Sequence, residues 1–185
     1  FLFPFPAGEF CQNNPSIVGS FAQYVGRQSS GGGVHNSVYA FCGSGLFCLS
    51  AASCFEQAVG IEVSEFSVQY AIENAKANDI KNTRFVLGDA ASIFSQIDFS
   101  GSDSSVIIDP PRKGSSEEFL NQLIAFGPQK IVYVSCNPAT QMRDLQILTD
   151  RGYEIEEVQP FDLFPQTKHL ECVVTLTKSG SSSEG

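Results

Sequence analysis

The chain has 185 residues, enough for one ordinary domain with a complete core. Its hydrophobic share of 42% and charged share of 17% are typical of a globular protein, and no apolar run is long enough to span a membrane. The formal net charge of −9 argues against nucleic-acid binding. Six cysteines without a C-x-x-C pair, together with only two histidines, predict a reduced intracellular protein without a metal site.

Apolar periodicity predicts where the elements lie along the chain. Residues 1–28 are expected to form an extended segment followed by a helix over 16–28, and residues 29–178 the main domain. Residues 179–185 are expected to form a disordered tail. Predicted strands cover 35–41, 57–62, 83–88, 104–109, 130–135, 153–161 and 169–177. Predicted helices cover 45–55, 65–78, 116–126 and 138–150, with a short one at 90–96.

This alternation of strands and helices predicts an α/β fold with a doubly wound, mostly parallel, seven-stranded sheet. The strands at 104–109 and 130–135 contain continuous apolar runs, as expected of strands buried on both faces. The last two predicted strands follow each other without a helix between them. They are therefore expected to form a terminal antiparallel hairpin.

A glycine loop follows the first predicted strand. Gly43 and Gly45 lie where the next predicted helix opens, and glycines there let the backbone approach a ligand closely, with a tight structural turn as the alternative. Glu62 ends the second strand about 20 residues further on, where a carboxylate binds a ribose diol, with helix capping as the alternative. Asp89 ends the third strand and is expected either to bind an adenine amino group or to cap a helix. Since no basic residue accompanies the glycines, a nucleoside cofactor such as S-adenosylmethionine is favoured over a dinucleotide.

Reactive groups also stand at three further strand ends. Two prolines follow Asp109 and fix its turn, and Arg112 comes next, available for a phosphate. Cys136 ends an apolar run, and Glu171 lies in or just before the last strand. Ligands of parallel sheets bind at the carboxyl ends of strands, so we expect one thiol and two carboxylates to converge. The alternatives are a buried core cysteine for Cys136, a turn signal for Asp109 and an ordinary strand-edge carboxylate for Glu171. Such a set suits an enzyme that attacks an electron-poor ring with sulfur and later removes a proton.

Six sequence strings, in this order, resemble the RNA 5-methyluridine methyltransferases, which methylate uracil C5 in tRNA and ribosomal RNA. They are FCQNN at 10–14, FCGSG at 41–45, IE at 61–62, DPPR at 109–112, VSCNPAT at 134–140 and FPQTKHLE at 164–171. The last two are specific to the family, and the whole is most similar to its tRNA branch. The resemblance implies a class I, Rossmann-like methyltransferase fold, S-adenosylmethionine as cofactor and RNA, above all tRNA, as partner.

The resemblance also implies a role for each matched residue. Cys136 would add to the uracil ring as the nucleophile, and Glu171 would remove the C5 proton as the base. The target uridine would have to leave its stack. The residues expected to bind the cofactor are Gln12, Phe41, Gly43, Gly45, Glu62, Asp89 and Asp109. The residues expected to contact the substrate are Asp109, Arg112 and Asn137.

The sequence departs from the family pattern in two respects. Tyr39 stands where the family carries an acidic residue near the cofactor's ammonium group, in an unusually polar first strand. The small N-terminal RNA-binding barrel of the family is also expected to be absent from these residues, which would account for the missing basic surface. Two alternatives stay open: a degenerate or truncated domain without catalysis, and a methyltransferase with another substrate.

Overall fold

Seven strands form one sheet in the computed structural model, which describes residues 15–88, 93–162 and 170–180. The strands are β1 Asn36–Ala40, β2 Gln57–Glu62, β3 Thr83–Leu87, β4 Ser104–Ile108, β5 Lys130–Ser135, β6 Tyr153–Phe161 and β7 Glu171–Lys178. Their order across the sheet is β3-β2-β1-β4-β5-β7-β6. All seven predicted strands are present, with bounds that differ by at most two residues.

The sheet is parallel except at one end. β3, β2, β1, β4 and β5 pair in parallel, whereas β7 is antiparallel to both β5 and β6. Successive strands are added on one side of β1 up to β3 and on the other side from β4 onwards, so the strand order reverses between β1 and β4. Ligands of doubly wound sheets bind at such a reversal. The predicted mostly parallel sheet with a terminal antiparallel hairpin is thereby confirmed.

Five α-helices cover the two faces of the sheet: α1 Pro15–Ser29, α2 Leu46–Ala51, α3 Glu65–Ala77, α4 Glu117–Phe126 and α5 Pro138–Asp150. The predicted helix at 45–55 is α-helical only as far as Ala51 and continues as a 3₁₀ turn over Ala52–Cys54. The short helix predicted at 90–96 is a 3₁₀ turn over Ile93–Gln96, and residues 89–92 lie outside the described part of the chain.

Polar side chains fix where the longer helices begin. At the start of α3, the Ser64 side chain accepts a hydrogen bond from the Ser67 amide. The Ser116 side chain caps α4 and the Asn137 side chain caps α5 in the same way, each by accepting from a backbone amide of its own helix. α4 ends at Gly127, whose left-handed φ of 68° is easily adopted only by glycine. These local signals explain why the helix bounds were predictable from sequence.

The core has two halves, one on each face of the sheet. Alternate residues of the strands pack against α4 and α5 on one face and against α1 and α2 on the other. β1 and β4 are buried along their whole length, including their polar first residues. The Ser105 hydroxyl lies 3.4 Å from that of Ser37, so the polar start of β1 packs against the equally polar start of β4.

Several remaining expectations concern the ends and surface of the chain. Ser179 and Gly180, from the predicted tail, form a turn in which the Ser179 amide donates to the Gly152 carbonyl, and residues 181–185 lie outside the described part. Among the described helices, none is long and apolar enough to cross a membrane. Within residues 15–88, 93–162 and 170–180, no three metal-ligating side chains form a group, and the absence of a metal stays a prediction.

Candidate active site

The carboxyl ends of the central strands and the beginning of β7 meet at one edge of the sheet. The register pairs Ile108 of β4 with Tyr133 of β5, and Ser135 of β5 with Cys172 of β7. Because β7 runs the opposite way, its first residue reaches the edge at which β4 and β5 end. The three predicted reactive groups at this edge are Asp109, Cys136 and Glu171.

Cys136 and Glu171 lie at the same end of the β5–β7 ladder. Cys136 directly follows Ser135, Glu171 directly precedes Cys172, and these two neighbours are the last pair of the ladder. The charge of Glu171 acts on the Cys136 thiol. Cys136 is half-buried, and Glu171 is buried with 5% of its surface exposed. The predicted convergence of a thiol and a carboxylate from distant parts of the sequence is therefore present.

Three neighbouring charges act on the Cys136 thiol. Burial raises its pKa most, and the charge of Glu171 raises it further, with a smaller contribution from Asp109. The Arg112 guanidinium opposes these effects through a hydrogen bond to the sulfur and through its charge. Arg112 therefore stabilises the thiolate, the form in which a cysteine is nucleophilic.

Both carboxyl groups of the site are held back from ionising. Burial raises the pKa of Glu171, and the nearby charge of Arg112 partly offsets this. Burial, and then the charge of Glu171, raises the pKa of Asp109 to about 7. A carboxyl group with a pKa of about 7, such as that of Asp109, gains or loses a proton near neutral pH, as general acid–base catalysis requires.

The glycine loop and Glu62 form a second group at the ends of β1 and β2. Glu62 Oε2 accepts a hydrogen bond from the Gly43 amide at 2.9 Å, and Oε1 accepts from the amides of Val63 and Ser64 at 2.8 and 3.1 Å. Glu62 therefore ties the glycine loop to the start of α3. The N-cap of that helix is Ser64, whose side chain accepts from the Ser67 amide, so Glu62 supports the start of the helix without being its cap.

Phe41 and Gly45 shape the backbone of this loop. Phe41 adopts a left-handed φ of 62°, which is strained for a residue with a side chain, and its ring packs 5.2 Å from that of Phe119. Gly45 has a φ of 88°, and a Cβ there would lie 3.1 Å from Ala71 and from the Phe85 ring. The loop is thus closely packed against α3, β3 and α4.

Exposed apolar side chains lie beside Glu62. Val63 follows Glu62 in the chain, and 63% of its surface is exposed. Leu87 is the partner of Glu62 in the β2–β3 register, and 52% of its surface is exposed. Sequence reasoning missed this patch, since single apolar residues at strand ends carry no distinctive signal. Exposed apolar surface beside a polar anchor is typical of a ligand site.

Tyr39 does not stand in for the missing acid. Its side chain is buried in the core half that packs against α1 and α2, with its ring 5.7 Å from that of Phe47. Burial raises its pKa well above the ordinary value, and the charge of Asp109 adds to this. Tyr39 is therefore a neutral, packed side chain behind the site.

The other predicted site residues differ in what the structure shows of them. Arg112 is exposed, and Asn137 uses both ends of its amide within the chain, accepting from Ala139 and donating to the Arg112 carbonyl. Gln12 and Asp89 lie outside the described residues, so their roles stay predictions.

Sequence reasoning also missed two buried polar residues of α5. Gln141 donates to the backbone carbonyls of Tyr133 and Cys172, which lie on β5, the strand that leads to Cys136, and on β7, the strand that begins with Glu171. Asp144 is fully buried behind the loop that contains Arg112. Both fall on the helix face that also carries Leu145 and Leu148, and this spacing was the signal available in the sequence.

Comparison with known proteins identifies the family of the chain. The family model described as tRNA (Uracil-5-)-methyltransferase matches residues 1–179. The chain belongs to this family. A tRNA (uracil(54)-C(5))-methyltransferase of Schizosaccharomyces pombe is 46% identical over 187 aligned positions, which cover 95% of this chain and 36% of the relative. Its namesake in Saccharomyces cerevisiae is 43% identical, covering 96% of this chain and 30% of the relative.

Solved structures place the fold in the same family. The tRNA (uracil-54, C5)-methyltransferase of Pyrococcus abyssi, in complex with S-adenosyl-L-homocysteine, superposes with a TM-score of 0.79 at 28% identity, covering 92% of this chain and 40% of that chain. A precorrin-6y C5,15-methyltransferase from Geobacter metallireducens gives a TM-score of 0.73 at 15% identity, which shows the fold alone. The predicted class I methyltransferase fold is confirmed. The chain spans about a third of the length of the curated family relatives it matches.

The raised pKa of Asp109 predicts how stability depends on pH. The carboxyl titrates near pH 7 in the folded chain and near about 3.9 in the unfolded chain. Between these values the folded state binds more protons, so the free energy of unfolding falls as the pH rises. Asp109→Asn removes this dependence, and we expect the variant to gain about 1–3 kcal/mol relative to the parent between pH 5 and pH 8.

Urea unfolding followed by circular dichroism at both pH values measures the difference. Asp150→Asn is the matched control, because Asp150 is exposed at the far end of α5. Parallel pH profiles for the Asp109 variant and the parent protein would contradict the assignment.

Proposed function

We propose that this domain transfers a methyl group from S-adenosylmethionine to uracil C5 in tRNA, through a covalent adduct formed by Cys136. The observation that carries the proposal is the convergence of Cys136 and Glu171 at the end of the β5–β7 ladder, with Arg112 and Asp109 within electrostatic reach of the thiol. The two yeast relatives named as tRNA (uracil(54)-C(5))-methyltransferases support the substrate, which also implies that the protein acts inside the cell.

The residues at the ends of β1 and β2 fit the cofactor. Three backbone amides already donate to Glu62, and a ribose hydroxyl would donate to the acceptor site left on Oε2. The exposed apolar surfaces of Val63 and Leu87 suit the face of an adenine ring. Bound here, S-adenosylmethionine supplies a methyl group on a positively charged sulfur, and the Pyrococcus abyssi relative holds the corresponding demethylated product.

Cys136 makes uracil C5 reactive. The thiolate adds to C6 of the ring, and the electron pair of the C5–C6 double bond moves towards the C4 carbonyl, so that C5 becomes a nucleophile. Arg112 favours the thiolate through its hydrogen bond and its charge. The ring must leave the RNA stack to bring C6 within reach of the sulfur.

Glu171 completes the reaction once C5 carries the methyl group. It accepts the C5 proton, and the C6–S bond breaks as the double bond re-forms and the thiolate is released. Its buried position keeps the basicity of the carboxylate higher than that of an exposed glutamate. Asp109, held in the turn after β4, would orient the ring, with Arg112 and Asn137 beside it on the substrate side.

A second candidate function has one specific observation in its favour. The family's acidic residue near the cofactor ammonium is replaced by Tyr39, whose buried side chain supplies no charge. A domain without that charge would keep the fold and bind the cofactor weakly, which is the non-catalytic alternative. The three experiments below separate the two.

The first experiment traps the covalent adduct. RNA that contains 5-fluorouridine at the target should remain bonded to Cys136, because fluorine at C5 cannot leave as a proton does. Cys136→Ala should abolish the adduct on denaturing gels, whereas Cys54→Ala, which removes an exposed cysteine, should leave it unchanged. An adduct that persists in Cys136→Ala would remove this thiol from the mechanism.

The second experiment tests Glu171 as the base. Because the proton leaves after methyl transfer, Glu171→Gln should form the adduct and methylate the ring but release little product. Mass spectrometry of the denatured reaction should show a methylated RNA attached to the protein, with turnover reduced about 10²-fold or more. Normal turnover in this variant would assign the proton to another group.

The third experiment tests the cofactor site by calorimetric titration with S-adenosylmethionine. A charge-assisted hydrogen bond contributes about 1.5–3 kcal/mol, so Glu62→Ala should weaken binding by at least about tenfold. Glu65→Ala, at an exposed position on the next turn, is the control and should bind as the parent does. Absence of binding to the parent protein at millimolar cofactor would favour the non-catalytic alternative.

A further inference from the structure

A buried carboxylate on α5 holds the loop between Asp109 and α4. Asp144 is fully buried, and each of its two oxygens accepts two hydrogen bonds. Oδ2 accepts from the Ser115 amide at 2.7 Å and from the Tyr133 hydroxyl at 2.6 Å. Oδ1 accepts from Nε and Nη2 of Arg143 at 2.9 and 2.6 Å. Its four acceptor sites are therefore filled by one loop amide, one strand side chain and one cation.

Arg143 extends the attachment to further backbone atoms of the same loop. Its Nη2 also lies within hydrogen-bond distance of the carbonyls of Lys113, at 3.3 Å, and Ser115, at 3.0 Å. The loop turns here through Gly114, which has a φ of 78° and donates its amide to the Pro111 carbonyl. A Cβ on Gly114 would lie 2.6 Å from Arg143 Nη2 and 2.9 Å from Asp144 Oδ2, so the turn rests directly on the pair.

Two residues at the start of α5 hold the backbone of Arg112. Asn137 Nδ2 donates to the Arg112 carbonyl at 2.9 Å, and the Thr140 hydroxyl lies 3.2 Å from the same oxygen. Asn137 follows Cys136 directly and is also the N-cap of α5. The backbone that carries Arg112 is thus attached to the helix that begins beside the nucleophile.

Arg112 depends on this attachment for its place at the thiol. Its side chain is exposed, and the position of its backbone limits where the guanidinium can lie. Among the described residues, the charged groups that act on Cys136 are Arg112, Glu171 and Asp109, and Arg112 supplies the positive charge among these three. Displacement of the loop would move the guanidinium away from the thiol and leave the two carboxyl groups in place.

We propose that Asp144 is a positioning residue of the active site: together with Arg143 it clamps the 112–115 loop to α5 and so holds the Arg112 guanidinium at the Cys136 sulfur. The inference rests on the proposed function for the role of Cys136. The test of the clamp needs neither RNA nor cofactor, so a failure of the clamp and a failure of the proposed function can be distinguished.

The readout is the alkylation of Cys136 by iodoacetamide in the full chain, followed by peptide mass spectrometry from about pH 6 to 9. Exposed Cys54 is an internal control in the same molecule. Asp144→Asn replaces two acceptor oxygens with one and turns an amide towards existing donors, so it should release the loop. The alkylation rate of Cys136 near pH 8 should fall by about threefold to tenfold, with its pH profile moved upwards and Cys54 unchanged.

A double-mutant cycle separates positioning from general loss of stability. Arg112→Ala should slow the alkylation of Cys136 by a similar factor, and adding Asp144→Asn to it should cause no further decrease, because both act through one guanidinium. Tyr133→Phe removes one hydrogen bond to Asp144 without touching the loop, so it should lower the melting temperature and leave the alkylation profile unchanged. Additive effects, or an unchanged profile in Asp144→Asn, would overturn the proposal.

A second variant keeps the test decisive if Asp144→Asn does not fold. Gly114→Ala pushes on the same pair from the loop side and leaves the buried charge paired. Gly152→Ala is its matched control, with a comparable φ of 90° and open space around the added carbon. We expect slower alkylation of Cys136 in Gly114→Ala alone, and equal rates in the two glycine variants would refute the clamp.

Discussion

The reversal of β7 is the constraint on which the site depends. Parallel strands bring to the functional edge only residues that follow them, such as Asp109 and Cys136. Because β7 runs antiparallel to β5, it brings its first residue, Glu171, to the same edge. A slip of one residue in this pairing would turn the carboxyl group to the other face of the sheet. The buried ladder of β5 and β7, with core side chains on both faces, prevents that slip.

Removal from water then sets the chemistry of the groups collected at this edge. Burial is the leading cause of the raised pKa of Cys136, Asp109 and Glu171 alike. The effect suits the two carboxyl groups, which become better proton acceptors once ionised, and works against the thiol, which must ionise to react. Arg112 partly offsets the effect on the thiol through its hydrogen bond to the sulfur and its positive charge, and the pKa of Cys136 still lies above its ordinary value.

Sequence patterns were sufficient for the elements because the signals are local. Continuous apolar runs marked the buried strands, and the caps Ser64, Ser116 and Asn137 marked the helix starts. The convergence of Cys136 with Glu171 was also predictable, since it needs only the rule that strand ends share an edge. The order of the strands across the sheet was not predictable, because it depends on pairing between distant segments.

Asp144 and Tyr39 show where prediction from the sequence stops. Helical spacing places Asp144 on the buried face of α5, but a charged residue in a helix is usually exposed, and its donors Ser115 and Tyr133 belong to other segments that the spacing does not identify. Tyr39 occupies a family position expected to face the cofactor. The alternation of side chains along β1 instead directs it to the core beside Phe47, and no one-dimensional pattern reports the size of the space available there.

The net charge of −9 pointed away from nucleic acid, yet the chain belongs to a family named for tRNA. A sum over the chain hides how its charges are distributed. Glu154, Glu156 and Glu157 lie on β6, the edge strand, where charges discourage pairing with other chains, and they sit towards the end of the β6–β7 hairpin away from Glu171. Arg112 and Lys113 are exposed, and the charge of Arg112 acts on the Cys136 thiol. The acidic excess therefore includes charges that protect a sheet edge, and the net charge of the chain does not describe the charge beside Cys136.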